Sequence, residues 1–496
     1  MRYITELIKL MTNDEMLFMH RKTVELLERT GFCIQHDGFL DALEAHGAEI
    51  DRPKQVAKLP AELTERAARA MSNSPCLLKD DARIVDDAIA ARIREFLGKP
   101  LAFAFGGSAL EVLSEDGRTS RPAHYQDLER VVRFGNGHTR IKYVGGPPVL
   151  FSYDANDQEV PPQFREMAGM AYMAKHCTKL GVHCPTNAVE LGFAVELCEL
   201  LTGSSQEKLD SPPFLVPFLG PRCSDSPLRI TRNAAETFYH LARRGLPIIL
   251  APMPLAGGSS PVTPASAILI ANAEILGLIV ALWAVGTTSK HNHATLTGIV
   301  DMKTTIASFS SPNAVLQDVG LAQLQKYVYG LDCMCPTDYI DAKYPGYQSG
   351  SERALKIAII AASGNQYPSV GQLKSGLVCS PEQACLDIEA FDWMHHFMRG
   401  IDVSEEAVCL DLIAEQGIGG NFLGTDHTYR HFREELFLPR LSDRDAHHIR
   451  DMVEAAHEEV ERILAQTPPY TRDPAVCAEI DRLYKAALAR MNQPRN

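Results

Sequence analysis

The segment from 247 to 274, PIILAPMPLAGGSSPVTPASAILIANAE, carries most of the information about the fold. It begins with the apolar run Ile248–Ala251, which is short enough to be a strand buried on both faces. A loop rich in proline and glycine follows, and then the apolar stretch Ala265–Val285, which predicts a helix and carries a single acid, Glu274. Because α/β enzymes place their sites in loops at the carboxyl ends of buried strands, this loop is a candidate wall of a site. A plain surface connection is the alternative for such a loop taken alone.

Seven further short apolar or β-rich runs recur after residue 100, most of them followed by Gly or Pro and then by a helical pattern. They are Leu101–Phe105, Ile141–Val144, Lys179–His183, Phe214–Phe218, His293–Leu296, Leu331–Cys335 and Asn365–Val370. With Ile248–Ala251 they make eight strand–helix units, which suit right-handed crossovers. Eight such units predict an α/β chain folded as a (β/α)8 TIM barrel. An open doubly wound sheet is the alternative, but neither a G-x-G-x-x-G nor a Walker loop is present in the sequence.

Helical patterns flank the predicted barrel on both sides. In front they cover Asn13–Thr30, Asp37–His46 and Pro60–Met71, and behind Pro381 the sequence is again mostly helical. We therefore expect a helical N-terminal extension over residues 1–100 and the barrel over 101–400. A helical C-terminal extension over 401–496 is expected to pack on the barrel.

Composition limits the classes of function. The 496 residues carry a net charge of −13, which argues against a nucleic-acid surface. Charged residues interrupt the first ten positions, so we expect no signal peptide, and Ala265–Val285 is expected to be a core helix rather than a membrane span. The twelve cysteines show no paired C-x-x-C framework, which is typical of reduced thiols. These features predict a cytoplasmic protein that binds neither nucleic acid nor membrane.

Signatures of hydrolases are weak. His291-Asn292-His293 resembles the H-x-H of metal-dependent barrel hydrolases, but it falls at the start of its predicted strand rather than at the carboxyl end. Cys333 and Cys335 alternate along a predicted strand and are expected to be buried thiols. No G-x-S-x-G elbow occurs. We expect no tightly bound metal, and a metal-dependent hydrolase stays open as an alternative.

The predicted strand ends instead offer aromatic rings, amides and a few acids. Aromatic faces with few acids suit a cation that cannot donate hydrogen bonds, such as a quaternary ammonium. Taken alone, each residue is better explained by packing or loop structure. The set consists of Phe105, Tyr143, His183, Phe218, Asp338, Tyr339, Asp341, Tyr347 and Gln372.

Several motifs together resemble those of the trimethylamine:corrinoid methyltransferase family. The segment from 252 to 274 is similar to the family pattern P-x-P-x-x-G-x-x-x-P-V-T followed by N-A-E. Further matching segments follow in order along nearly the whole chain. They are Ser226-Pro227-Leu228, Asp301-Met302-Lys303-Thr304, Asp341-Ala342-Lys343-Tyr344-Pro345 with Gln348, Gly350 and Glu352, Gly371–Leu377, Asn421–Gly424, His427-Thr428 and Arg433-Glu434-Glu435. The family fold is a TIM barrel, which agrees with the strand count.

The resemblance implies methyl transfer from a methylated amine to the Co(I) of a corrinoid carried by a separate cognate protein, or to free cobalamin. Founding members contain pyrrolysine, whereas this sequence has only standard residues, so it resembles the branch that includes glycine betaine methyltransferases. Proline betaine and carnitine are alternative substrates, and a non-catalytic betaine-binding protein is an alternative of another class. The resemblance also implies a homo-oligomer. Gly346 and Lys374 depart from the family pattern, which usually has Asp and Glu there, and this leaves the substrate open.

For a betaine, the strand-end residues suggest roles by position. Tyr143, Phe218, Tyr339 or Tyr347 would face the ammonium, and Asp338 or Asp341 would balance its charge. His183, Gln372, Lys343 and loop amides would bind a substrate carboxylate. No side chain needs to act as acid or base, because a quaternary ammonium leaves as a neutral amine and catalysis is positioning.

Overall fold

The structure is a computed structural model, and it describes residues 8–183, 185–202, 224–289, 291–331, 333–337, 339–365, 368–445 and 450–492. For Val182, His183 and Asn292 the description covers the backbone. Every structural statement below concerns these residues. The predicted strand Phe214–Phe218 and the candidate residue Asp338 lie outside them.

Helices cover much of the described chain, and most begin at a side-chain cap or a proline. Thr12, Asp81, Ser311, Ser380 and Asp451 each accept a hydrogen bond from the first turn of the helix that they precede. In chain order the helices are α1 (Asn13–Arg29), α2 (Asp37–Ala45), α3 (Ala61–Met71), α4 (Ala82–Leu97), α5 (Tyr125–Gly137), α6 (Pro162–His176), α7 (Ala188–Thr202), α8 (Arg232–Arg244), α9 (Pro264–Ala284), α10 (Pro312–Tyr329), α11 (Tyr347–Ala362), α12 (Pro381–Met398), α13 (Glu405–Val408), α14 (Leu410–Gln416), α15 (Asp426–Glu435), α16 (Met452–Gln466) and α17 (Pro474–Met491).

The strands are short, and they fall into a central parallel group and several small sheets. They are β1 (Phe32–Ile34), β2 (Glu49–Asp51), β3 (Val56–Lys58), β4 (Phe103–Phe105), β5 (Glu111–Leu113), β6 (Ser120–His124), β7 (Ile141–Gly146), β8 (Phe151–Tyr153), β9 (Leu180–His183), β10 (Arg229–Ile230), β11 (Ile248–Leu250), β12 (Leu255–Ala256), β13 (His291–Ala294), β14 (Gly298–Val300), β15 (Ala307–Ser308), β16 (Cys333–Met334), β17 (Ser369–Val370), β18 (Gln372–Leu373) and β19 (Val378–Cys379).

The centre of the fold consists of parallel strands that alternate with helices. One sheet has the order β17–β4–β7–β9 and another the order β11–β13–β16, and all of these neighbours are parallel. The order follows the chain, with the last strand beside the first. Beyond β16, the Thr337 hydroxyl donates to the Ser369 carbonyl of β17 at 2.9 Å. Among the described residues the two sheets are separate, and no pairing joins β9 to β11.

Seven of the predicted strands have a counterpart in these two sheets. The sixth predicted strand begins and ends two residues earlier than expected, because the structure has a strand at His291–Ala294 where the sequence predicted His293–Leu296. The first hundred residues contain α1–α4 and also β1, β2 and β3, which pair with each other and with β10. These strands add to the helices that the sequence predicted there. At the other end of the chain, α16 packs on α5 and α12, and α17 packs on α6 and α7.

Helix α9 lies in the largest hydrophobic core, against α1, α2, α3 and α10. By length and composition it is the one helix among the described residues that would suffice to cross a membrane, yet 78% of its apolar window is buried inside the protein. It is therefore a core helix of the fold, as its sequence predicted. Glu274 lies within it and is buried.

Glu274 fixes the start of the segment that leads into β10. Its carboxylate accepts hydrogen bonds from the hydroxyls of Ser224 and Ser226 and from the amide of Leu228 at 2.9 Å. Two of the motifs singled out in the sequence, S-P-L and N-A-E, are therefore in direct contact. Burial raises the pKa of Glu274, and these hydrogen bonds oppose that rise without cancelling it.

Candidate functional site

Two small sheets stand on the carboxyl ends of the central strands and define the site. The first, here called wall A, has the order β18–β19–β5–β6–β8 and is built from segments that follow β17, β4 and β7. The second, wall B, has the order β12–β14–β15 and is built from segments that follow β11 and β13. The loop rich in proline and glycine that follows Ile248–Ala251 contributes β12 to wall B. Because carboxyl ends of parallel strands meet at one edge, the walls enclose the expected mouth of the fold.

A register shift decides which strand residues face the interior. Phe103 pairs with Ile141, Ala104 with Tyr143 and Phe105 with Val144, so Lys142 is the extra residue of a bulge. Phe105 is fully buried, and its ring contacts Phe134 of α5 at 5.3 Å between centroids. Phe105 thus packs against the helix layer. Tyr143 belongs to the opposite face of the sheet, with Ala104, and is half-buried.

Tyr339 lies between the two walls. Its ring meets the ring of Phe309 edge-on, with 5.9 Å between centroids. It also covers Gly376, where an added Cβ would lie 2.4 Å from the Tyr339 ring. Gly376 has a φ of +89°, so this position requires glycine both for its backbone and for the ring above it. Phe309 is buried behind Tyr339, which is half-buried, so Tyr339 is the member of the pair that can expose a ring at the mouth.

Asp341 connects the two walls. On the side of wall B its carboxylate accepts hydrogen bonds from the Ser308 hydroxyl and from the Phe309 amide at 3.1 Å. On the side of wall A it accepts from the Ser375 hydroxyl at 3.0 Å. Ser375 lies in the short 3-10 helix Lys374–Gly376, in a left-handed conformation with a φ of +55°. Asp341 therefore holds the segments on both sides of Tyr339 in place.

Gln372 is fully buried at the start of wall A. Its Nε2 donates to the Gly107 carbonyl at 3.1 Å and so joins the end of the last central strand to the end of the first. Its Oε1 is buried and has no hydrogen-bond partner among the described residues. An orphaned buried acceptor of this kind is costly in a native structure.

Three charged residues of α11, Glu352, Arg353 and Lys356, hold the backbone of the site in place. The Glu352 carboxylate accepts from the amides of Asp341 and Ala342 at 2.8 and 3.0 Å. Arg353 lies 2.8 Å from Asp387 as a fully buried ion pair and donates to the Gln372 carbonyl at 3.1 Å.

The third residue, Lys356, is also fully buried. It donates to the carbonyls of Phe309 and Tyr339 at 3.1 and 3.0 Å. The aromatic pair is therefore fixed through its backbone. Sequence reasoning quoted Glu352 as part of a motif and missed Arg353, Lys356 and Phe309. The available signal was two cations on a helix that follows a buried strand.

The rim of the mouth exposes apolar side chains. Tyr347, at the start of α11, is 93% exposed, and Lys343 of the same loop is exposed as well. In wall B, Asp301 caps a tight turn by accepting from the amides of Lys303 and Thr304, and these bonds lower its pKa. The turn carries Met302 at its tip, 67% exposed. The exposed apolar residues around the mouth are Leu110, Val262, Met302, Ile306, Tyr344, Tyr347 and Leu377.

Lys374, which departs from the family pattern, forms an ion pair inside wall A. Its ammonium lies 2.7 Å from the Glu111 carboxylate of β5. Burial opposes ionisation of Glu111, but hydrogen bonds from Lys374 and Ser120 outweigh it and lower the pKa of that carboxyl. The second departure, Gly346, precedes α11, and its amide donates to the Ser349 hydroxyl at 2.9 Å. Both positions serve loop structure in this chain.

The histidine pair of β13 faces the helix layer rather than the mouth. His291 Nδ1 lies 3.2 Å from His293 Nε2, and His293 Nδ1 lies 3.1 Å from the side-chain Oε1 of Gln325 in α10. Burial lowers the pKa of both rings, that of His293 strongly. The Gln325 Nε2 donates a hydrogen bond to Oδ1 of Asn272 in α9, and Asn272 in turn donates to Thr23 and Tyr329, so the histidines belong to a buried polar network. In the described residues, no His, Cys, Asp or Glu cluster is arranged to hold a metal ion.

Cys333 and Cys335 also face the helix layer, against α10 and α11, and are buried as predicted. Burial raises the pKa of the Cys335 thiol to about 12. Neither thiol is placed to act as a nucleophile at neutral pH.

The structure brings together part of the predicted set. Tyr339, Asp341 and Gln372 are joined through the 3-10 helix of wall A and through α11. Lys343 and Tyr347 lie at the rim, Tyr143 faces the interior below the mouth, and Phe105 packs away from it. Phe218 and Asp338 lie outside the described residues, as does the side chain of His183. Substrate contact by each of the ten stays a prediction.

Comparison with known proteins places this geometry in context. A family model described as trimethylamine methyltransferase (MTTB) matches residues 2–489. The trimethylamine methyltransferase MttB of Desulfitobacterium hafniense is 25% identical over 468 residues, covering 92% of this chain and 90% of that protein. Glycine betaine methyltransferase from another strain of that species is 23% identical over 478 residues, covering 95% of each. The solved structure of the monomethylamine methyltransferase of Methanosarcina barkeri covers 94% of this chain and 96% of that chain at 12% identity, with a TM-score of 0.37.

Proposed function

The chain belongs to the trimethylamine methyltransferase family, a family of methyltransferases that act with corrinoid proteins, and we propose that its own methyl donor is a quaternary amine, first of all glycine betaine. The acceptor in this proposal is the corrinoid of a separate protein. The observation that carries it is the half-buried ring of Tyr339 at the mouth, backed by Phe309, because a ring face binds a cation that has no hydrogen-bond donor.

The proposal includes a closed (β/α)8 barrel with cytoplasmic location. The strand order β17–β4–β7–β9 and β11–β13–β16 leaves one position between β9 and β11, and the predicted strand Phe214–Phe218 has the right place in the chain to fill it. The free cysteines among the described residues support a reducing compartment.

A quaternary ammonium suits this site because it needs no proton donor. Its departing amine is already neutral, and a cation without N–H groups is best bound by ring faces. The mouth offers such faces at Tyr339 and, deeper, at Tyr143. All positions of the sequence are standard amino acids, which supports the branch of the family without pyrrolysine. The substrate class rests on these features, and the glycine betaine methyltransferase relative is 23% identical.

Within this proposal the chain positions the substrate. The ring of Tyr339 contacts the ammonium. Lys356 fixes the Tyr339 backbone through its carbonyl, and Asp341 fixes the neighbouring Phe309 through its amide. The exposed Lys343 and backbone amides of the loop after β16 are the donors nearest to the rim for a substrate carboxylate. The walls exclude water on two sides, and this exclusion strengthens the electrostatic attraction between rings and cation. Positioning of the methyl group then contributes most of the rate.

The residues present fit a corrinoid that arrives on a partner. The corrinoid supplies Co(I), a strong nucleophile that accepts the methyl group. The described residues form no metal-holding cluster at the mouth, whereas the rim carries exposed apolar side chains from both walls and from the loop before α11. Such a rim is what a transient protein partner needs for docking. Met302, Ile306 and Leu377 would therefore meet the corrinoid protein.

The direct test is methylation of free Co(I) cobalamin by the purified protein, followed by visible absorbance. The donor panel holds glycine betaine, proline betaine, carnitine, choline and trimethylamine, with a no-enzyme control. Methylcobalamin formed from glycine betaine supports the proposal. Formation from proline betaine or carnitine alone keeps the reaction and replaces the substrate. Formation from trimethylamine alone overturns the substrate class. If free cobalamin is inert, the same panel is repeated with the reduced corrinoid protein, and inactivity there overturns the proposal.

A further inference from the structure

A cleft of about 840 Å³ lies at the amino ends of the central strands, opposite to the mouth. Residues 100–102 precede β4, residues 139–142 lead into β7, residue 179 precedes β9, and all of them line the cleft. Residues of α12 and of the segment from 437 to 440 form its other side. The volume is within the roughly 300–1,000 Å³ of small-molecule sites. Because parallel α/β enzymes carry out their chemistry at the carboxyl ends of their strands, a ligand in this cleft is not the methyl donor.

The lining of the cleft is basic, although the chain has a net charge of −13. Asp392 is the one acid among the described lining residues, and it forms an ion pair with Arg140. Arg399 has a partner in Glu435, whose carboxylate lies 3.6 Å away. The other cations of the lining, which no acid of the cleft balances, are Lys142, Lys179 and Arg440. The cleft therefore attracts anions.

Lys142 and Arg440 are exposed and can both reach a ligand. Among the described residues, neither side chain forms an ion pair with a carboxylate. The Lys142 ammonium lies 5.4 Å from the centroid of the neighbouring Tyr143 ring. Ammonium and guanidinium groups that the fold leaves unpaired beside a cavity are suitable donors to phosphate oxygens.

Lys179 is the half-buried member of the three cations. Its ammonium donates to the carbonyls of Gly135 and His138 at 3.0 and 2.8 Å, which uses two of its three N–H groups. Burial lowers the pKa of Lys179. A bound anion would offset the desolvation of this ammonium, so the charged form of Lys179 is favoured by a ligand in the cleft.

A neighbouring cavity of about 300 Å³ shows how the fold treats charge that serves structure. Two of its arginines have acids of the same cavity as partners, since Arg450 pairs with Glu458 and Arg462 lies 2.7 Å from Glu459. Arg440 lines both cavities. Internal ion pairs therefore account for the smaller cavity, whereas the larger cleft keeps cations that such pairs do not use.

The cleft also has an apolar wall, to which Leu101, Phe437 and Leu438 belong. The Phe437 ring meets the rings of Trp393 and His396 edge-on, with 6.2 and 5.6 Å between centroids, and these contacts fix its orientation. Phe437 is half-buried and Leu438 is exposed. A planar ring packed on this wall would remove apolar surface from water.

We propose that the cleft binds a nucleotide with several phosphates. The phosphates are bound by Lys142, Lys179 and Arg440, and the base packs on Phe437 and Leu438. Several negative charges match several cations, and a planar base matches the apolar wall. An inorganic phosphate would leave that wall uncovered, and a fatty acid would bring one charge to three cations. The site is separate from the mouth, so this inference does not depend on the identity of the methyl donor.

Isothermal titration calorimetry on the full chain tests the proposal at low salt and without divalent cations. The probes are ATP, GTP, CTP and UTP, with tripolyphosphate and the four nucleosides as the two halves of the ligand. At least one nucleotide is expected to bind about 5- to 100-fold more tightly than tripolyphosphate, because its base stacks as well. The matching nucleoside is expected to bind more weakly than its triphosphate. Failure of all four nucleotides to bind, or equal affinity of every nucleotide and tripolyphosphate, would overturn the proposal.

Variants of the lining show whether binding takes place in the cleft. Lys142→Glu with Arg440→Glu is expected to weaken the nucleotide and tripolyphosphate alike, by at least about tenfold. Leu438→Ala is expected to weaken the nucleotide and to leave tripolyphosphate unchanged. The control, Arg21→Glu with Arg83→Glu, reverses two exposed cations outside the lining and is expected to keep the wild-type affinity.

Far-UV circular dichroism and the thermal midpoint check that each variant is folded. If the double reversal is unstable, Arg440→Gln removes one exposed charge without adding another and is expected to weaken the nucleotide in the same direction. Wild-type nucleotide affinity in the folded variants would place the binding elsewhere and overturn the proposal. An equal loss in the control would show attraction by the overall charge of the protein, and this too would overturn it.

Discussion

Tyr339 is the aromatic residue at the mouth whose surroundings are fixed most completely. Gly376 supports its ring, and Lys356 holds its carbonyl. Cation–π contact contributes about 0.5–2 kcal/mol, so Tyr339→Ala is expected to raise KM for the quaternary amine by about 2- to 30-fold. Tyr339→Phe keeps the ring face and is expected to stay near wild type. Steady-state methyl transfer to free cobalamin measures both, and an unchanged KM in Tyr339→Ala would remove this residue from the site.

Glu274 gives stability a defined dependence on pH. Burial raises its pKa above the ordinary value of 4.5, so its contribution to the free energy of unfolding is complete below pH 4.5 and declines as pH rises through the raised folded pKa. Glu274→Gln removes this titration. The stability of wild type relative to Glu274→Gln is therefore expected to fall as pH increases from 4 to 8. Urea unfolding of both proteins across that range measures the difference, and a difference constant with pH would contradict the shift.

At the scale of elements, Asp341 joins wall A to wall B across Tyr339. Hydrogen bonds to a charged group contribute about 1.5–3 kcal/mol, so Asp341→Ala is expected to lower kcat/KM by about 10- to 100-fold while the central sheets stay folded. Ser375→Ala removes one of the bonds and is expected to have a smaller effect. Limited proteolysis should show faster cleavage in the loops of both walls for Asp341→Ala. If Asp341→Ala has both the kcat/KM and the proteolysis rate of the wild type, the two walls keep their positions without the hydrogen bonds to Asp341.

The central strands could be predicted because each is a compact apolar run closed by Gly or Pro and followed by a helix. The sixth predicted strand was displaced because His291 and His293 are polar in the sequence. In the fold His293 is buried and His291 is half-buried, the two rings are hydrogen-bonded to each other, and His293 also contacts Gln325. The walls were not predicted, because most of their strands are only two or three residues long and are too short to show a periodic pattern.

The sheet face on which each strand side chain lies could not be predicted from the sequence, for a different reason. The bulge at Lys142 sets the pairing that turns Tyr143 inward, while Phe105 turns toward Phe134. A shift of one residue moves every side chain of a strand to the other face, and a bulge cannot be read from composition. The candidate list therefore mixed residues of the mouth with residues of the helix layer. The motifs predicted contacts better. The S-P-L segment contacts Glu274 of N-A-E, and Glu352 accepts a hydrogen bond from the Asp341 amide within its own motif.

At the scale of the whole molecule, the two ends of the central strands have different surfaces. The carboxyl end has the walls and an apolar rim, whereas the amino end has a cleft of about 840 Å³ whose lining includes Lys142 and Arg440. A protein partner that carries the methyl acceptor is therefore expected at the carboxyl end, where the rim exposes apolar side chains.

The rim can be tested separately from the chemistry. Met302→Glu with Ile306→Glu places charge in an apolar contact that a docked protein would bury, at a cost of several kcal/mol. We expect KM for the reduced corrinoid protein to rise at least about tenfold, whereas transfer to free cobalamin, which needs no docking, stays at the wild-type rate. Ile84→Glu changes an exposed apolar residue of α4 and serves as the matched control. An equal loss with both acceptors would assign the two residues to the reaction site, and no loss with either would remove wall B from the docking surface.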